Sequence, residues 1–235
     1  MTTLYIAGDS YASIANNQTV GDSWSELLAK ALGVELVNIA RPAASNFSIA
    51  IQIEWILNRI QPDDYVAIFL TDCYRESLPS QTILISEPCK PLLERYSVHP
   101  LQRPYEGIAY SEPEELINAS FVTMPPFDKE YREFYKKWFD PELAFFKNRM
   151  VIIGALSLLA AKTKKYVVCA GGFETLSDNR AITWEELNLP PENFCEVTRA
   201  WLRNTSAPVE YINHIDESTH IQLANLLCKK IKNMC

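Results

Sequence analysis

The sequence predicts an α/β protein built on a parallel, doubly wound sheet, and three observations carry this. Strand-like and helix-like segments alternate through the first 70 residues. A further buried run, Tyr166 to Ala170, is entered from a long, nearly all-apolar helix of about 141–164. The chain then closes with an amphipathic segment at about 219–233, with Ile221, Ala224, Leu227 and Ile231 on one face. Strands alternating with helices at this spacing imply right-handed crossovers between parallel neighbours.

The elements follow in order. Leu4-Tyr5-Ile6-Ala7 is a short apolar run and reads as a buried strand over about 3–8. Trp24, Leu27, Leu28 and Ala31 recur at helical spacing, so a helix is expected over about 24–32, with Gly33 ending it. Val34 to Ile39 is a second strand, a helix runs over about 46–60, and Pro62-Asp63-Asp64 turns the chain into a third strand, Tyr65 to Leu70. Residues 73–139 then break the alternation. Eight of the 14 prolines fall between 79 and 126, and the aromatic stretch "EYREFYKKWFDPELAFF" follows. So long a stretch without structure is uncommon in a domain. It is therefore expected to be an insertion or lid with a helix of its own near 128–138, inside a single domain of residues 1–235.

The composition bounds the function. At 235 residues and 48% hydrophobic, the chain can bury a full core. A formal net charge of -7, a pI near 5.1 and no long basic run argue against nucleic acid or an anionic membrane as the main partner. No signal peptide is visible ahead of the first strand, and the longest apolar stretch, Met150 to Ala161, is too short to span a bilayer. Six cysteines lie scattered without a C-x-x-C pair or metal-ligand spacing. Reduced thiols in a cytoplasmic protein, with no metal and no cofactor, are the expectation.

Gly-Asp-Ser occurs twice, at residues 8–10 and 21–23. A nucleophilic serine has to be held at the end of a rigid element, and only Ser10 follows a strand. Ser23 instead begins an S-x-x-E pattern with Glu26 just ahead of the periodic apolar residues, which marks a helix cap. Position alone leaves Ser10 open between a nucleophile and a turn residue. In open parallel sheets ligands bind beyond the carboxyl ends of the strands, where the strand order reverses. With an order of 2-1-3-4, the loops after strands 1 and 3 flank that point. The loop after strand 2, "NIARPAASN", adds backbone amides near Ala43 and the side chain of Asn46. The loop after strand 3 holds Thr71, Asp72, Tyr74 and Arg75. Of three histidines, His214 and His220 stand together at the start of the last helix, where a base can be carried to a serine after the first strand.

The sequence here resembles the SGNH (GDSL-type) hydrolase family. "YIAGDSYAS" is similar to its nucleophile block, "DSWSELLAKALGVELVNIARPAASN" to the following helix, strand and second block, and "NHIDESTHIQLANLL" to its C-terminal block. The resemblance implies a three-layer α/β/α sandwich on a flavodoxin-like sheet and a serine nucleophile without a metal. It also implies hydrolysis of acyl or acetyl esters, with a small-molecule or glycan ester as substrate. It assigns Ser10, Asp9 and His214 to the catalytic set, and the amides of Ser10 and Ala43, with Asn46 or Thr71, to the oxyanion. Arg41, Arg75 and Tyr11 become candidates for substrate contact.

The departures are specific. The second block's glycine is Ala43, the third block's G-x-N-D is replaced by "LTDCYR", and the Asp expected three residues before the histidine is Tyr211. Glu210 or Asp216 then remains to orient the imidazole. The pattern is that of a divergent branch, similar to short GDSL-type proteins of phages and marine bacteria. Glu217 stands three residues before His220 and offers a second register, but Ser218 is a plausible N-cap, which puts His220 in a first helical turn where the macrodipole disfavours an imidazolium. His214 is therefore the favoured base. Two alternatives stay open: a degenerate binding protein, and an acyltransferase in which an acceptor alcohol replaces water.

Overall fold

β1 (Thr3–Ala7) is buried from Leu4 onward, as suits an apolar run covered on both faces. The computed structural model describes residues 2–13, 22–41, 44–73, 75–79, 120–123, 137, 140–174, 180–198, 201–202 and 215–234. In it β1 pairs in parallel with β2 (Glu35–Asn38) on one side and β3 (Tyr65–Phe69) on the other. A separate antiparallel pair, β4 (Glu76–Pro79) and β5 (Ser120–Thr123), lies within the insertion. β6 (Tyr166–Gly171) pairs in parallel with β3, and β7 (Phe194–Thr198) adds a fifth parallel strand at the edge. The order β2-β1-β3-β6-β7 is the flavodoxin-like winding, with its reversal between β1 and β3.

Among the described residues, four helices cover the two faces. α1 (Trp24–Leu32) starts at a complete capping box: the Ser23 side chain accepts from the Glu26 amide, and the Glu26 carboxylate accepts from the Ser23 amide at 2.7 Å. It ends at Gly33 in the left-handed region, φ 69°. α2 (Asn46–Leu57) is capped by Ser45, and α3 (Pro141–Lys162) by Asp140 with Pro141 in its first turn. α4 (Glu217–Lys232) is capped by Asp216, whose Oδ1 accepts from the Thr219 amide at 2.8 Å, so the expected cap at Ser218 moves two residues back. α1 and α4 pack on each other and enclose one apolar cluster against the sheet, including Trp24, Leu28, Phe69, Leu223 and Leu227. α2 and α3 enclose the other, including Ile49, Ile53, Ile68, Leu156 and Phe173. The result is the three-layer α/β/α arrangement that the alternation predicts.

Two polar stitches set the sheet's register. Asp64, in the turn before β3, accepts the Thr3 amide at 2.7 Å and the Gln61 amide at 2.8 Å, tying β1's start to the turn. Asn193 sits ahead of β7 and donates to the Tyr166 carbonyl at 2.6 Å, which docks the edge strand. At the end of β6, Gly171 adopts φ +58°, and a Cβ there would stand 1.9 Å from the Leu70 carbonyl oxygen. No other residue fits that crossing.

β7 and the β4–β5 pair were not expected from the sequence. The helix expected near 128–138 falls outside the described residues except for Lys137, which is helical. Among the described residues, α3 is the one helix long and apolar enough, by length and composition, to cross a membrane. It matches the helix expected over about 141–164, extends beyond the apolar stretch Met150–Ala161, and leaves Leu143, Phe146, Met150 and Leu158 exposed. Cys73, Cys169, Cys195 and Cys228 are buried free thiols.

Candidate active site

The chain leaves β1 through Gly8, at φ +154°. A Cβ at this position would meet Phe69 Cβ at 2.8 Å and Ala12 Cβ at 2.9 Å, so the loop passes against β3 too closely for any side chain. Asp9 and Ser10 follow at the carboxyl end of β1, beside the reversal in strand order. Ala12 and Ser13 both donate backbone N–H groups to the Asp9 carbonyl, at 3.1 and 3.0 Å, so Ser10 opens a tight turn rather than a helix. That turn is fixed from two other elements. Trp24 Nε1 of α1 donates to the Tyr11 carbonyl at 2.8 Å, and Asn38 Nδ2 of β2 donates to the Ala12 carbonyl at 2.8 Å.

Asp9 organises the floor of the site. Its Oδ1 accepts from the Tyr11 amide at 3.0 Å, while its Oδ2 accepts from the Thr71 hydroxyl at 2.8 Å and pairs with the Arg75 guanidinium at 3.2 Å. The carboxylate is 1% exposed and the arginine side chain 7%, so this is a buried ion pair joining the loops after β1 and β3. Asp9 thus acts as an anchor for Ser10 rather than as a proton carrier. Arg75, a candidate for substrate contact, is committed to Asp9 and also donates to the Ala44 carbonyl at 3.4 Å.

The remaining candidates divide by geometry. Thr71 gives its hydroxyl proton to Asp9, so in this arrangement it is not a donor to an oxyanion. Asn46, in the first turn of α2, accepts the Thr71 amide at 3.0 Å and donates to the Thr71 carbonyl at 2.8 Å, leaving one Nδ2 hydrogen beyond this pair. Tyr11 is 6% exposed and packs in the cluster of α1 and α4, which makes it a core residue rather than a cleft residue. Asp216 uses one carboxylate oxygen to cap α4. Arg41 stands just past β2, with its amide donating to the Gly8 carbonyl at 3.0 Å. Ala43, Glu210 and His214 lie outside the described residues.

His220 is resolved by its partner. It is 1% exposed in the first turn of α4, and its Nδ1 accepts the Trp24 amide at 3.0 Å. An imidazole accepting at Nδ1 is neutral with its proton on Nε2, so it has no lone pair left for a serine. It serves as a cross-helix cap that joins α4 to the start of α1.

One site residue escaped the sequence reading. Gln52 of α2 is 1% exposed, accepts the Gly8 amide through Oε1 at 2.7 Å and donates to the Gly8 carbonyl through Nε2 at 3.3 Å. It clamps the backbone immediately before Asp9-Ser10. The available signal was a lone amide within a helical run, "IAIQIEWIL", that is apolar except for Gln52 and Glu54. Gln52→Leu is expected to lower stability by about 1–3 kcal/mol, because the buried Gly8 amide loses its acceptor, and urea denaturation measures this.

Among the described residues no group of three or more His, Cys, Asp and Glu side chains is placed to hold a metal. No protein-family model matches the chain, and no curated protein matches it. Among solved structures, the chain is similar to the salicylyl-acyltransferase SsfX3 from a tetracycline biosynthetic pathway, with 9% identity and a TM-score of 0.46. That match covers 99% of this chain and 55% of the other. It is also similar to protein YxiM from Bacillus subtilis, with 14% identity and a TM-score of 0.33, covering 96% of this chain and 41% of that one. The chain therefore spans about half the length of these structures.

Proposed function

We propose that this protein is a serine ester hydrolase of the SGNH (GDSL) type, with Ser10 as nucleophile and His214 as base. The observation that carries the reading is the setting of Ser10. It stands at the carboxyl end of β1, at the reversal of strand order, on a loop held by a buried ion pair, by Gln52 and by Trp24. A turn residue with no chemistry has no need of anchors from three other parts of the fold. The second support is the approach of the last helix. Ile215, one residue beyond His214, packs in the same apolar cluster as Tyr11 and Ala12, the residues that follow Ser10.

In this reading His214 takes the proton from Ser10 Oγ as the oxygen attacks the ester carbonyl. The tetrahedral oxyanion is held by the amides of Ser10 and Ala43 and by the remaining Asn46 Nδ2 hydrogen. The imidazolium returns its proton to the leaving alcohol, the acyl group stays on Ser10, and water deprotonated by the same histidine releases the acid. An acceptor alcohol in place of water turns the identical sequence into acyl transfer. With Thr71 bound to Asp9, the donor set is short by one, and loss of one oxyanion donor costs about 10²–10³ in rate in a well-studied hydrolase. Turnover of generic esters is therefore expected to be slow.

The two histidines provide the test. His214→Ala is expected to abolish single-turnover acylation by p-nitrophenyl acetate. His220→Ala should keep acylation while lowering stability by about 1–3 kcal/mol, since the buried Trp24 amide loses its acceptor. Full activity in His214→Ala with loss in a folded His220→Ala would overturn the assignment of the base. Activity that survives in both would remove the serine–histidine mechanism.

A further inference from the structure

Among the described residues, Arg41 is the arginine whose Nε–H the fold leaves without an acceptor. Five arginines are described, and four are engaged. Arg75 pairs with Asp9, and Arg180 makes two bonds to the Glu186 carboxylate. Arg149 donates to the Glu186 carbonyl, and Arg59 donates to the Trp55 carbonyl while lying over its ring. Arg41 is half-buried, its Nε is fully enclosed, and among the described residues that Nε–H has no acceptor. Burial pulls its pKa below the usual arginine value. A guanidinium desolvated without compensation is costly, and proteins keep such groups mainly where a ligand completes them.

Its location says which ligand. Arg41 is one loop away from the candidate nucleophile, because its amide is bonded to the carbonyl of Gly8, two residues before Ser10. The other described arginine of this rim, Arg75, is neutralised by Asp9, so among the described residues a single arginine is on offer there. The chain carries a formal net charge of -7, which disfavours a polyanionic ligand. A guanidinium presents coplanar N–H donors in a fork that matches the two oxygens of a carboxylate.

We propose that Arg41 binds a free carboxylate on the substrate, so that the esters taken at Ser10 are half-esters or other esters carrying one carboxylate. This rests on the ester-hydrolase reading for the reaction but not for the binding, and the test separates the two. Ligand-observed NMR titrations would compare monomethyl succinate with dimethyl succinate on Ser10→Ala protein, which binds without turnover. The same titrations would be run on Ser10→Ala/Arg41→Gln and Ser10→Ala/Arg41→Lys. The expected result is a preference for the monoanion on the order of tenfold or more, abolished by Arg41→Gln and only partly kept by Arg41→Lys. Because Arg41 has no carboxylate partner to lose among the described residues, Arg41→Gln should melt no lower than its parent. Equal binding of the two esters, or a preference that survives Arg41→Gln, would overturn the proposal. So would a lowered melting temperature in Arg41→Gln, which would make the side chain a scaffold element. Failure of the hydrolase reading would show separately, as absence of a fluorophosphonate adduct on the Arg41-containing wild type.

Discussion

Ser10→Ala is expected to abolish esterase activity, while Ser23→Ala leaves the chemistry intact and lowers stability by about 1 kcal/mol. The two serines share the tripeptide Gly-Asp-Ser and differ in everything around it. Ser10 is 9% exposed at the open end of β1. Ser23 is 1% exposed and spends its hydroxyl on α1, where it accepts the Glu26 amide at 3.3 Å and contacts Ser25 at 3.0 Å. A hydroxyl that satisfies a helix end has no freedom to attack a substrate. In a well-studied hydrolase, removing the nucleophile alone costs on the order of 10⁶ in kcat, so the Ser10→Ala loss should reach the background rate. Fluorophosphonate treatment followed by peptide mass spectrometry checks the assignment directly, with the adduct expected on the peptide that contains Ser10. An adduct on Ser23 would reverse the reading of the two copies. Absence of any adduct would favour a binding protein that keeps the pocket without the reaction.

The parts of the molecule legible in the sequence are those fixed by local signals. The first five elements, the long helix, β6 and α4 all carry periodic apolar residues between turn or cap residues. The cap at Ser23 and the end at Gly33 need only neighbours within four positions. β7 carried no such signal: "FCEVT" is a short edge strand with exposed Glu196 in its middle, and what places it is Asn193 reaching back to Tyr166. The β4–β5 pair joins segments more than 40 residues apart, a distance over which a proline-rich sequence shows no periodicity. The site divides in the same way. Ser10 and the convergence of loops follow from strand order. The roles of Asp9 and Gln52 do not, because Asp9 meets Thr71 and Arg75 across 62 and 66 positions and Gln52 meets Gly8 across 44. Read locally, Arg75 and Thr71 are polar loop residues free to face a ligand, and only the pairing through Asp9 takes them out of that role.

Asp9→Ala is expected to be the most destabilising substitution at the site that leaves the backbone conformation permitted, at about 3–5 kcal/mol. The cost arises less from the lost attraction than from what remains. Arg75 stays 6% exposed, with the Ala44 carbonyl at 3.4 Å as its surviving acceptor and no counter-charge among the described residues. The Tyr11 amide and the Thr71 hydroxyl lose their acceptor at the same time. Asp9→Ala combined with Arg75→Met should then be more stable than Asp9→Ala alone, since the second change removes the stranded cation and fills its volume with an apolar side chain. Equilibrium urea unfolding of the two single variants and the double variant gives the coupling directly. Additive losses would mean that the pair is not a unit and that Asp9 holds the loop through its hydrogen bonds alone. Activity separates the same two ideas. If the ion pair positions Ser10, fluorophosphonate labelling should be slowed in folded Asp9→Ala protein, and restoring stability with Arg75→Met should not restore the labelling rate.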